Sequence, residues 1–153
     1  MKHNDAHSTL TSPGWSSPAI ATTVLPVVST GVSVGWARHL DEVREAQRLR
    51  HQVFAGEMGA RLATPLPGHD IDLFDDFCEH LLVRSLADDQ VIGTYRVLTP
   101  AQARRVGSTY SDTEFDLTRL RGVRERMVEL GRSCVHPDHR HGGVILALWG
   151  ALG

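Results

Sequence analysis

The stretch Val128–Trp149, VELGRSCVHPDHRHGGVILALW, decides how the rest of the chain is read. From Met127 to Val135 apolar and polar residues alternate as in a half-buried strand. The chain then turns at Pro137, runs basic through His139, Arg140 and His141, passes Gly142 and Gly143, and enters the apolar run Val144–Trp149. A strand, a loop of small and basic residues and a helix start form an anion cradle, because exposed backbone N–H groups and the helix dipole both favour a phosphate there. The glycines let a ligand approach the backbone closely. The competing reading is a strand–turn–helix connection that holds no ligand. Within the strand, Glu129 and Arg132 are three apart and would lie on opposite faces of a regular strand. A bulge at Gly131 would bring them together.

The totals bound the answer. A chain of 153 residues suits one ordinary domain with a real core. A net charge of −2 with 41% hydrophobic residues excludes a wholly disordered or strongly basic chain, and nothing in the balance demands nucleic acid. Cys78 and Cys134 are too far apart for a CxxC pair and read as reduced thiols of a cytoplasmic protein. No apolar run reaches the length of a membrane span. The weak apolar stretch Ala19–Val28 is broken by Pro26 and is not read as a signal peptide. His136, His139 and His141 lack the spacing of a zinc site, so no metal is expected. Cys134 has no Cys–His–Asn arrangement around it and reads as a small buried strand residue.

Residues 1–31 are rich in Ser, Thr, Pro and Ala and are expected to be a disordered leader, with one domain over 32–153. A short strand is expected at Val32–Arg38. A helix follows from an N-cap at Asp41 to about Glu57, with Arg50 and Phe54 four apart on one face. The stretch Ala60–Cys78 is a long loop holding Asp70, Asp72, Asp75 and Asp76. Long loops in compact domains are often functional, the alternative being a solvated acidic surface. Glu79–Ser85 and Gln90–Leu98 pattern as a hairpin, with Ile92, Thr94, Arg96 and Leu98 on one face. Pro100 opens a short helix through Arg105, and Asp116 caps another reaching Leu120.

The cradle resembles motif A of the GNAT N-acyltransferases, V-x-P-x-x-R-x-x-G-x-G/A, through Val135, Pro137, Arg140 and Gly143, with Ile145 in place of the last small residue. The resemblance extends over about residues 36–152. Leu49–Phe54 is similar to an LRxxVF helix, Asp72–Asp75 to a DxxD loop, Gly93–Leu98 to a G-x-x-R-L/V-L strand and Glu129–Arg132 to ExxR. These motifs, in this order, resemble the acyl-carrier-protein-dependent branch of the GNAT superfamily, which holds autoinducer synthases and ornithine N-acyltransferases. Glu114–Leu117 and Val128–Arg140 lean towards the ornithine-acylating group.

The resemblance implies an α/β, GNAT-type fold: a mixed, mostly antiparallel central sheet flanked by helices, with a bulge in the strand that carries ExxR. It implies transfer of a 3-hydroxyacyl chain from acyl carrier protein to the ornithine α-amine, giving lyso-ornithine lipid. The phosphopantetheine of the carrier would be the donor, with acyl-CoA second and no permanently bound cofactor. Arg50, Phe54, Asp72, Asp75, Arg96 and Arg132 would bind substrate or organise the fold. Cys134, Val135, Arg140, His141, Gly142, Gly143 and Val144 would line the donor site. Glu129 is the candidate general base, since the attacking amine must lose a proton; a plain strand ion pair is the alternative. Arg119, Arg121, Arg124 and Arg126 form a basic stripe suited to an acidic carrier protein, or a solvated surface paired with Glu125 and Glu129. A lipid product would bring peripheral contact with the inner membrane face. The alternatives are another amine acceptor, as in autoinducer synthesis or another GNAT acetyltransferase, and an inactive fragment that binds carrier protein. Because a GNAT fold needs further strands beyond this helix, the domain is expected to be incomplete. The central strand would then stand as an exposed edge, with Val144, Ile145, Leu146, Leu148 and Trp149 poorly covered.

Overall fold

A computed structural model describes residues 31–152. The expected leader therefore lies, up to residue 30, outside the described residues. The ordered elements are β1 (Val32–Trp36), α1 (Leu40–His51), β2 (Glu79–Ser85), β3 (Val91–Leu98), α2 (Pro100–Val106), β4 (Glu129–Val135) and α3 (Gly142–Gly150). A π-helical turn, Gln52–Glu57, extends α1, and 3-10 turns occupy Tyr110–Thr113, Thr118–Arg126 and Pro137–His139. The strands form one antiparallel meander in the order β1-β2-β3-β4.

The sheet is covered on both faces, which is why β3 is buried along its whole length. On one side Ala46, Leu49 and Val53, at helical spacing on α1 and its extension, pack on Leu82, Val91 and Cys134. On the other, Val144 and Leu148 of α3 pack on Leu81, Val83, Ile92, Tyr95 and Val97. Gly93 sets how close α3 comes: a Cβ there would stand 2.8 Å from Val144 Cγ1.

Several local expectations are corrected. The N-cap of α1 is His39, in extended conformation, and not Asp41; Glu42 reaches back to accept the N–H groups of Arg38 and His39 at 2.6 and 3.1 Å. Ile92 does not share a face with Thr94 and Arg96. A bulge, with Val83 opposite Gly93 but Arg84 opposite Val91, turns Ile92 into the α3-side core. The segment after Asp116 is a 3-10 helix running on to Arg126, and Asp116 accepts the Thr118 N–H at 3.0 Å from outside it. Val144 and Leu148 are buried, so only Ile145, Leu146 and Trp149 of the apolar run are exposed. Among the described residues β4 pairs with β3 alone.

Candidate active site

The long loop folds its carboxylates inwards. Arg50, from the inner face of α1, is 1% exposed. Its Nε donates to Asp70 at 2.9 Å and its Nη2 to Asp75 at 2.7 Å. Arg96, from β3, donates through Nη1 to Asp72 and Asp75 at 2.6 and 2.8 Å, and through Nη2 to Asp72 at 2.8 Å. Asp75 is the hub, since Gln47 also donates to it at 3.1 Å. Burial works to raise the Asp75 carboxyl, but the hydrogen bonds and charges of Arg50 and Arg96 outweigh it and hold Asp75 below the usual carboxylate range. Asp72 is held low against the same burial by Arg96. His80 lies beneath the hub with one ring nitrogen 2.9 Å from the Asp75 carbonyl; burial keeps its pKa below the ordinary imidazole value. The loop is therefore an ion network and not a solvated acidic surface, although Asp76 does face solvent.

The expected bulge in β4 is present, displaced by one residue. Gly131 stays opposite Arg96 and Cys134 opposite Thr94, so Arg132 and Ser133 together face Tyr95. The positive φ, 51°, falls on Arg132 and not on Gly131. The result is the expected one: Glu129 and Arg132 reach the same side. The Arg132 guanidinium lies over the rings of Phe54 and Tyr110, 5.7 and 5.2 Å from their centroids. Its contacts to Asp70 and Asp72 are long, 3.6 and 3.5 Å. Glu129 accepts the N–H groups of Tyr110 and Ser111, both at 2.8 Å, and the Ser111 hydroxyl.

These groups line a cavity of about 320 Å³ that also takes in Phe74, Cys78 and Leu98. Beside it runs a larger groove of about 680 Å³, floored by Leu98, Leu130 and Val128 and walled by Ala103, Phe115, Leu117, Leu120 and Met127. Leu98, Ser111, Glu129 and Leu130 line both, so the polar chamber and the more apolar groove adjoin at these residues. Of the basic stripe, Arg121 and Arg124 line the groove. Arg124 is held by Asp112 and not by Glu125 or Glu129, while Arg119, Arg121 and Arg126 are exposed.

The donor-side residues divide. Arg140 donates to the Val135 carbonyl at 3.3 Å and pairs with Glu57 at 2.6 Å, tying the cradle loop to the π turn of α1. His141 is the N-cap of α3, and Gly142 and Gly143 form its first turn. The side chains of Cys134 and Val144 point into the two cores, so only their backbone can meet a donor. Burial pushes the thiols of Cys134 and Cys78 up to about 12, which leaves neither a nucleophile at neutral pH. Sequence reasoning did not single out Tyr110, Ser111, Gln47 or Asp70 as site residues. Asp70, inside the acidic cluster, carried a signal; the other three carried none.

The profile described as acetyltransferase (GNAT) domain matches residues 49–150. The chain belongs to the GNAT acetyltransferase family. It is 44% identical over 125 residues to an L-ornithine N(alpha)-acyltransferase of Rhodobacter capsulatus, covering 76% of this chain and 48% of that protein. It is 41% identical to the L-ornithine N(alpha)-acyltransferase of Brucella abortus, covering 70% of this chain and 41% of that protein. The chain thus spans about half the length of the curated relatives it matches. Among solved structures, the CoA-dependent acyl-homoserine lactone synthase BjaI, solved with SAM and isopentyl-CoA, superposes with a TM-score of 0.58 at 24% identity, over 80% of this chain and 59% of that one. The AHL synthase LasI superposes with a TM-score of 0.52 at 20% identity, over 79% and 62%. These two share the fold. Among the described residues no helix is long and apolar enough to cross a membrane.

Proposed function

We propose that this chain carries the acceptor site of an L-ornithine N(alpha)-acyltransferase, which moves a 3-hydroxyacyl chain from acyl carrier protein to the ornithine α-amine. The observation that carries the reading is that Glu129 lines both a charged chamber of about 320 Å³, room enough for an amino acid, and the adjoining groove of about 680 Å³ with apolar walls suited to an acyl chain. The names of the relatives at 41–44% identity support the same acceptor.

The neutral amine attacks the thioester carbonyl, an amide bond forms and the carbon–sulfur bond breaks. The proton leaving nitrogen passes to Glu129, whose Oε2 accepts only the Tyr110 N–H and keeps a lone pair for it. The thiolate of phosphopantetheine leaves and takes up a proton. The bulge of β4 interrupts the ladder at Arg132 and Ser133, and a backbone N–H released there would meet the developing oxyanion. Arg140, His141, Gly142 and Gly143 receive the donor's phosphate end, with the N-terminus of α3 behind them. The exposed Arg119, Arg121 and Arg126 steer an acidic carrier. Carrier and lipid product together put the reaction in the cytoplasm, at the inner membrane face.

The test is to incubate the purified chain with ornithine or S-adenosylmethionine, and with 3-hydroxyacyl carrier protein or 3-hydroxyacyl-CoA, and to read products by mass spectrometry. Acyl-ornithine from the carrier-bound donor supports the reading. A lactone product, or turnover from acyl-CoA alone, replaces the acceptor or the donor. Carrier binding without any product reduces the chain to a binding unit.

A further inference from the structure

We infer that Arg132 is the receptor for the α-carboxylate of the acceptor, and that the unmatched charge of Glu129 selects an acceptor with two cationic groups. The inference rests on the proposed acceptor cavity and on ornithine as its acceptor, and adds to them the residues that read the carboxylate and the second cationic group.

The three arginines of the network are not equivalent. Arg50 and Arg96 hold their carboxylates at 2.6 to 2.9 Å and are almost fully buried. Arg50 Nη1 is also without a partner, but Arg50 is 1% exposed and does not line the cavity, and Arg96 is 4% exposed with its guanidinium on Asp72 and Asp75, so neither is placed to take a ligand. Arg132 faces the same carboxylates at 3.5 and 3.6 Å, and its Nε is buried with no hydrogen-bond partner. Its side chain is 23% exposed on the cavity that Glu129 also lines. An unpaired guanidinium nitrogen in a buried site is costly unless something satisfies it. The guanidinium carbon lies over the rings of Phe54 and Tyr110, which hold it beside the cavity. A planar guanidinium that meets its carboxylates only at 3.5 and 3.6 Å has donors to spare for a ligand carboxylate, which it can match bidentately. The residue also sits at a positive φ of 51°, a backbone state that non-glycine residues rarely adopt, and such strain is retained where the surroundings over-determine it.

Charge decides the rest. The guanidiniums of Arg50, Arg96 and Arg132 balance the carboxylates of Asp70, Asp72 and Asp75. Glu129 is left over, because its protein partners are two backbone N–H groups and a hydroxyl, all uncharged. Arg96, Arg132 and Glu129 line the cavity, and taken with the Arg50, Asp70, Asp72 and Asp75 side chains behind them they leave the site as a whole one negative charge in excess. An α-amino acid with an ordinary side chain has no net charge at neutral pH and would leave that excess uncompensated. An acceptor with one carboxylate and two cationic groups cancels it. A dibasic amino acid such as ornithine fits by placing its carboxylate on Arg132 and an ammonium against Glu129.

The experiment is calorimetric titration of the purified chain with ornithine, ornithinamide, which lacks the carboxylate charge, and norvaline, which lacks the side-chain amine. Ornithine should bind about 10- to 100-fold more tightly than ornithinamide, the range expected for hydrogen bonds to a charged group. Norvaline should also bind more weakly than ornithine. Arg132→Gln should bring ornithine down to the affinity of ornithinamide and leave ornithinamide nearly unchanged. Arg132→Lys, which keeps the charge but not the fork, should fall between, and far-UV circular dichroism checks that both variants fold. Equal affinity of the parent for ornithine and ornithinamide overturns the inference without using any variant. So does an Arg132→Gln protein that still prefers ornithine. In either case ornithine binding stands, and with it the proposed acceptor. A parent that binds none of the three ligands removes the acceptor cavity itself, and the assignment of Arg132 falls with it.

Discussion

Replacing Asp75 by asparagine tests whether the ion network holds the long loop in place. The substitution keeps the shape of the side chain and removes one charge at the hub. The carboxylate is 2% exposed and accepts from Arg50, Arg96 and Gln47 at 2.7, 2.8 and 3.1 Å. An amide offers one acceptor oxygen in place of two and turns its NH2 towards a guanidinium, donor against donor. Breaking a buried pair costs about 3–5 kcal/mol, because the surviving charge is left uncompensated. Arg50 keeps Asp70 and Arg96 keeps Asp72, so the lower end, about 3 kcal/mol, is expected. Urea unfolding followed by far-UV circular dichroism reads this as a lower midpoint at unchanged slope. The sign of the pH dependence follows from the direction of the shift. Asp75 titrates in the fold below its ordinary value of 3.8, so its contribution is complete above about that pH and is lost as pH falls through the lower folded value. The gap between parent and variant should therefore be constant from pH 7 to about 5 and close only below about 4. A gap under about 1 kcal/mol at neutral pH, or one that closes between pH 7 and 5, refutes the reasoning.

Four further outcomes are expected. Gly93→Ala forces a Cβ to 2.8 Å from Val144 Cγ1 and should destabilise by about 1–3 kcal/mol, with recovery when Val144→Ala is added; no recovery would disconnect Gly93 from the approach of α3. His80→Gln should flatten the fall in stability on acidification below about pH 6.5. The unfolded imidazole takes a proton there that the buried one refuses, so stability is complete above that pH and declines towards the folded value; an unchanged slope in the variant would clear His80. Glu129→Gln should lower acyl transfer roughly a hundredfold or more, beyond the loss of about 1–3 kcal/mol of stability from setting its NH2 against the Tyr110 or Ser111 N–H, and an unaltered rate per folded molecule would leave Glu129 only its hold on Tyr110 and Ser111. Arg140→Ala should weaken binding of acyl carrier protein at low salt, by a margin that shrinks as salt rises; equal binding at low salt would take Arg140 out of the cradle.

How much of this was legible in the sequence depends on how far apart the partners lie. Strand alternation, the Pro100 helix start and the acidic loop are local signals, and each led to an element that is present. The network was legible only as a set of charges that could meet, because Arg50 finds Asp70 and Asp75 across 20 and 25 positions. A run of aspartates written alone looks the same whether it is solvated or buried. The misplaced details share one cause, which is that tertiary contacts chose among locally similar options. Asp41 is the better capping residue by type, yet His39 takes the cap because Glu42 reaches back over it. Gly131 is the residue that most readily adopts a positive φ, yet Arg132 carries it. There, Phe54, Tyr110 and the aspartates fix where the guanidinium must go, and the backbone follows the side chain. Replacing the whole network by apolar residues of the same volume need not cost stability, since desolvation of buried charge offsets much of its attraction. What the charges supply is position. Arg50 and Arg96 fix the loop, and the fixed loop leaves Arg132 beside carboxylates it does not fully engage, facing the cavity that Glu129 shares.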